Sequence, residues 1–203
     1  MPKWDEAINL IRNVMYQHDV IAFHATRLID FDHVRMGGLK MLDLDRHVEL
    51  IKEHLQAIDA SEELAEVDSA VAETLAADRQ FIHRQGKVWM TPLRRFLYDG
   101  GCDVFFESYG GEAIERIAGY AAGKLGDRLK KMGTPAVVVS RFPAFGWCSR
   151  TESRHPQGMI ELYLEAEGNW DAMDYGWDVM IERHLPPENI VAVVSYDDPS
   201  VAD

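Results

Sequence analysis

His47 and His54 stand seven residues apart in a stretch with helical periodicity, so both imidazoles fall near one side of a helix. Metals take three or four such ligands, and no third one sits at a suitable spacing, so the pair reads as two surface or half-buried histidines. The phosphate cradle G-x-x-x-x-G-K-[ST], the fingerprint G-x-G-x-x-G, the elbow G-x-S-x-G and the zincin H-E-x-x-H are all absent. What remains is a set of polar and aromatic groups delivered at the ends of apolar runs. His24-Ala25-Thr26-Arg27 follows Val20–Phe23. Tyr109 follows Val104-Phe105-Phe106, with Tyr120 further on, and Asp178 and Glu182 flank Val179–Ile181. Four residues apart on a regular strand, the two carboxylates share a face, and a β-bulge would separate them.

The elements that must position these groups follow from periodicity. Trp4, Ile8, Ile11 and Met15 lie at helical spacing, with Asp5 and Glu6 where the helix dipole favours negative charge. Val20–Phe23 reads as a strand, Asp30–Met36 as one or two helical turns stopped by Gly37-Gly38. From about 45 to 84 the chain lacks proline and glycine and predicts two helices. Val48, Ile51, Leu55 and Ile58 line the first and Leu64, Val67, Val71 and Leu75 the second, with Ser61 as a helix-start residue between them. Lys87–Thr91 and Val104–Phe106 read as strands, Glu112–Met132 as a helix, and Ala136–Phe142, Met159–Glu165, Trp177–Glu182 and Ile190–Tyr196 as strands. Strands and helices do not alternate, which argues against a doubly wound parallel sheet and for an α+β arrangement.

Composition narrows the classes. The 203 residues, 47% hydrophobic, suffice for one domain with a real core, here a helical first half with an insertion over about 45–85 and a strand-rich remainder. A net charge of −13 opposes phosphate backbones and anionic membranes, so a protein or small-molecule acceptor is favoured over nucleic acid. Short basic runs such as Asp127–Lys131 and Arg94-Arg95 read as solvated faces. Cys102 and Cys148 form no C-x-x-C, and no apolar run nears the roughly 20 residues of a membrane span. A reducing cytoplasm is the expected home.

In order, the motifs resemble those of the ADP-ribosyltransferase superfamily. Phe23-His24-Ala25-Thr26 with Val34-Arg35-Met36-Gly37-Gly38-Leu39 is similar to its first motif, an apolar strand ending in H-x-T, then a helical turn and G-L. Val104–Ala113, leading into a helix that carries Ala118-Gly119-Tyr120, is similar to its strand-to-helix motif with an aromatic turn, with phenylalanine where the usual tyrosine ends the strand. Trp177–Glu182 with Leu185-Pro186-Pro187-Glu188-Asn189-Ile190 resembles its late strand and Pro-Pro turn, with Asp178 in the place of the glutamate.

The resemblance, running from about Ile21 to Val194, implies two small sheets forming a split β-sandwich with a helical insertion, and NAD as substrate. It implies that His24 bonds a ribose hydroxyl and that the backbone at Ala25 and Thr26 holds the nicotinamide amide. Phe106, Tyr109 or Tyr120 would stack on the ring, and Asp178 or Glu182 would stabilise the ribosyl centre. ADP-ribose would pass to an acceptor, in the manner of a toxin or defence effector with a possible antitoxin or regulatory partner. Two other expectations share the fold: a non-catalytic module for ADP-ribose or a protein, and an RNA 2′-phosphotransferase with Arg27, Arg35 and Arg141 around the phosphate.

Overall fold

A computed structural model describes residues 4–77, 84–98, 102–121, 123–144, 147–149, 156, 158 and 179–198. The chain is mixed α and β, with two small antiparallel sheets and several helices. Helix α1 (Trp4–Met15) leads to β1 (Asp19–Leu28), the short α2 (Phe31–Gly37), then α3 (Leu44–Ala57) and α4 (Ser61–Ala77). Strand β2 (Val88–Met90) is followed by α5 (Asp103–Glu107), α6 (Glu112–Tyr120) and α7 (Leu125–Lys131). Then come β3 (Thr134–Pro143), β4 (Cys148–Ser149), β5 (Val179–Ile181) and β6 (Ile190–Ser195).

The first sheet has the order β1-β3-β6, and β1 pairs with β3 along its whole length, from Asp19 opposite Pro143 to Leu28 opposite Thr134. The second has the order β2-β5-β4. A bridge joins them: Phe23 N–H donates to the Thr91 carbonyl at 2.8 Å and Thr91 N–H returns to Phe23 at 2.9 Å. Ala22, Val88, Met90, Phe142, Val179, Ile181 and Leu185 fill the space around this junction. A separate core of Ile51, Leu55, Val67, Ile114, Ile117, Leu125 and Leu129 binds α3, α4, α6 and α7 to one another.

Gly38 shows how the first and last motifs meet. Its φ is +72°, and a Cβ there would lie 2.0 Å from the Leu185 carbonyl oxygen, so only glycine lets Leu39 exchange backbone hydrogen bonds with Leu185. Both bonds measure 2.8 Å, and the Pro186-Pro187 turn follows directly.

Several expectations change. Val104–Phe106 is helical because Cys102 and Phe106, four apart, are both buried in one cluster, a helical spacing. The predicted helix 112–132 breaks between α6 and α7. There Gly123 abuts the Glu66 carboxylate, which accepts a hydrogen bond from Leu125 N–H at 3.4 Å and so covers the start of α7. Helix α4 does open at Ser61, with Glu62 and Glu63 in its first turn. The expected strand 159–165 lies outside the described residues. Among the described residues no helix is long and apolar enough to cross a membrane.

Candidate functional site

The end of β1, the segment 38–43, the start of α3, β2 and the turn into α6 enclose a cleft of about 460 Å³. That size falls within the range of small-molecule sites. His24, Ala25 and Thr26 form its floor, Phe105, Tyr109 and the Gly110-Gly111 turn one wall, and His47 of α3 stands beside that turn.

His24 is held in one tautomer. Its Nδ1 lies 2.8 Å from the Trp89 carbonyl oxygen, which can only accept, so Nδ1 carries the proton and Nε2 presents a lone pair. Burial lowers the pKa of this imidazole below 6.5, the Trp89 bond opposes that, and a charge on His47 would lower it further. At neutral pH His24 is therefore an uncharged acceptor, suited to a hydroxyl. The neighbouring peptide has no hydrogen-bond partner on its outer edge among the described residues. Phe23 uses the outer edge of β1 for Thr91, and by the two-residue period the peptide groups of Ala25 point the same way, along the cleft.

Two further imidazoles are fixed by the same logic. His47 Nδ1 lies 3.1 Å from the Asp43 carbonyl and so donates, leaving Nε2 as a second acceptor; burial lowers its pKa as well. His184 is reversed: Met41 N–H donates to its Nδ1 at 3.0 Å, so its Nε2 carries the proton and donates. Acceptors thus stand on the inner part of the cleft and a donor at its mouth, where His184 is exposed.

Cations dominate the lining of an otherwise acidic chain. Arg27, Lys40, Arg46, Arg84 and Lys87 line the cleft against two carboxylates, Asp43 and Glu112. Arg27 is consumed structurally, donating to the carbonyls of Met132 at 2.9 Å, Phe106 at 2.9 Å and Gly133 at 2.7 Å. Arg84 pairs with Glu112 at 2.5 Å and lies over the Trp89 ring, and Arg116 holds the same carboxylate at 2.9 Å. Arg46 pairs with Glu49 and Glu53 on the surface of α3.

No family model, curated protein or solved structure matches the chain. The residues therefore carry the argument alone.

Of the residues predicted from sequence, His24, Ala25, Thr26 and Tyr109 come together in the cleft. Phe106 does not: it is buried on the far side of α5, with its ring 4.3 Å from that of Tyr196, and its neighbour Phe105 faces the cleft instead. Tyr120 ends α6 with 42% of its surface exposed and is not among the cleft residues. Glu182 falls just past the end of β5, exposed and outside the cleft lining. Asp178 itself lies outside the described residues. Arg35 pairs with Asp32 and Arg141 with Asp19, both outside the cleft, so the three arginines expected around a phosphate do not converge.

His47 and Lys87 were missed as site residues. His47 was weighed as a metal ligand, whereas its place beside Val48 on the edge of an apolar stripe was the available signal. Nothing local marked Lys87, which reaches the site through a long-range contact.

Proposed function

We propose that the chain binds NAD in this cleft and passes its ADP-ribose unit to an acceptor, using an ADP-ribosyltransferase-like fold. The observation that carries the reading is the tautomer of His24. An imidazole in the middle of β1, locked by the Trp89 carbonyl and kept neutral, offers one acceptor to a ribose hydroxyl next to a stretch of strand edge with no partner among the described residues. The peptide of Ala25 is suited to a carboxamide, which both donates and accepts, and Tyr109 or Phe105 supplies a ring face for nicotinamide. In the reaction the bond from ribose C1′ to the nicotinamide nitrogen breaks with its electron pair going to the ring. The acceptor then bonds to C1′. Asp178, immediately before β5, is the carboxylate assigned to stabilise the cation-like sugar.

One feature supports a second reading, a module that holds ADP-ribose without cleaving NAD. Glu112, a half-buried acid of the described cleft with 11% of its side chain exposed, is tied to two arginines and so is not free to face a sugar cation. Nicotinamide release from NAD, measured for the wild type and for His24→Ala, Asp178→Ala and Glu182→Ala, separates the two. The transferase reading expects release that falls about a hundredfold or more in His24→Ala and Asp178→Ala and is retained in Glu182→Ala. ADP-ribose binding without any release selects the module. Absence of both, in folded protein, removes NAD from consideration.

A further inference from the structure

The cleft carries an excess of positive charge that the inner acceptors do not explain. Of its five lining cations, Arg27 is spent on backbone carbonyls, Arg84 on Glu112, and Arg46 on two surface glutamates. Lys40 and Lys87 are different: both line the cleft, and neither forms an ion pair among the described residues. The backbone brings their segments together. Leu42 N–H donates to the Lys87 carbonyl at 3.0 Å, and Gly86 N–H donates to the Leu42 carbonyl at 2.8 Å. Lys40 is two residues from Leu42, at the end of the Leu39–Leu185 bridge, and Met41 between them fixes His184 so that its Nε2–H points outward as a donor.

The five cations and the His184 donor in this cleft are thus arranged in two classes. The three arginines are engaged by protein partners; the two lysines and the imidazole donor at the mouth are not, among the described residues. In a chain with a net charge of −13, two lysines that line one cleft without an ion pair among the described residues mark a place built for an anion. We propose that Lys40, Lys87 and His184 form an anion subsite for the phosphate groups of a nucleotide whose ribose lies on His24. This rests on the NAD reading for the ribose and adds the selection of phosphorylated over unphosphorylated ligands. Lysine suits the task because it meets phosphate as a point charge and needs no fixed fork geometry.

The test uses binding, so it does not depend on catalysis. ADP-ribose, adenosine and inorganic pyrophosphate are titrated into the wild type and into a Lys40→Gln/Lys87→Gln variant, with the thermal midpoint as a check on folding. Both lysines are at least partly exposed, so the variant should fold normally. We expect ADP-ribose to bind on the order of tenfold or more weakly to the variant, since two solvated charge contacts are worth about that much. Its affinity for the wild type should fall with added salt, while any adenosine binding is unaffected by the substitutions. Pyrophosphate that binds the wild type and is lost from the variant, with no binding of ADP-ribose, would keep the anion subsite and overturn the NAD reading. Equal ADP-ribose affinity in the two proteins would overturn the subsite and leave the NAD reading standing. No binding of either phosphorylated probe to folded wild type would overturn both.

Discussion

On one side of the cleft His24, Ala25 and Thr26 ride on β1, which pairs with β3 over ten residues; on the other, His47 rides on α3, which is held by side-chain packing against α4, α6 and α7. The difference is one of tolerance. A strand slipped by one residue turns every side chain to the opposite face, so His24 is either in the cleft or out of it. A helix resting on Ile51 and Leu55 can shift by fractions of an ångström as its core relaxes, so His47 can be displaced by degrees. The two walls are tied by few connections, among them Arg27, which runs from β1 to the ends of α5 and α7.

Breaking the sheet side should have the largest effect. Gly38→Val would set a side chain against the Leu185 carbonyl and force a β-branched residue to positive φ. A loss of about 3–5 kcal/mol is expected, seen as a fall of roughly 10 °C or more in the melting temperature. A midpoint within about 2 °C of wild type would show that the Leu39–Leu185 junction does not hold the cleft wall.

Cutting the tie between the walls comes next. Arg27→Met keeps the apolar stem and leaves three carbonyls without their donor, at a cost of about 2–4 kcal/mol in chemical denaturation. If the midpoint moves without a change in slope, the two walls still unfold together; a second transition would show that Arg27 alone makes them one unit.

Acidification acts on both walls through the two half-buried histidines. Each has a folded pKa below 6.5, so the unfolded chain binds more protons in the window from 6.5 down to the folded values. Their contribution to stability is complete above that window and is lost as pH falls through it, at no more than about 1.4 kcal/mol per pH unit for each histidine. Melting temperatures should be level between pH 7 and 8 and decline below 6.5, and a His24→Gln/His47→Gln variant should flatten that decline. A wild-type profile that stays level to pH 5.5 would contradict the burial of both rings.

The mildest probe sharpens the contrast between the walls. His47→Ala removes an acceptor from the helical side without touching the ladder of β1, so ADP-ribose affinity should fall by a few-fold, about 1 kcal/mol, while His24→Ala costs more. Titration of the two variants side by side tests this, and an equal loss would mean that both walls position the ligand alike.

The legible parts of the molecule were those written in local pattern. Helices α3 and α4, the start at Ser61 and strands β1, β3 and β6 follow from apolar spacing and β-branched runs, and the coarse α+β class follows from their order. The run Val104–Phe106 misled because three consecutive apolar residues fit a strand or a short buried helix alike. The burial of Cys102 together with Phe106, which decides it, depends on Leu97, Ala25 and Val137 from elsewhere in the chain. The site divides in the same way. His24 was recognisable from the apolar run before it, although β1 continues past it to Leu28, and the carbonyl that fixes its tautomer belongs to Trp89, 65 residues on. Phe105 and Phe106 are adjacent in sequence, and only the pitch of α5 sets one in the cleft and the other in the core.

The bridge between Leu39 and Leu185 also governs when the cleft can exist. During synthesis β1 emerges well before its partner β3, which begins at Thr134, and the wall near Gly38 is closed only once Leu185 has left the ribosome. Such distant pairings form late and slowly. A nascent chain thus carries His24 without a finished pocket around it until the segment that contains Leu185 has been made.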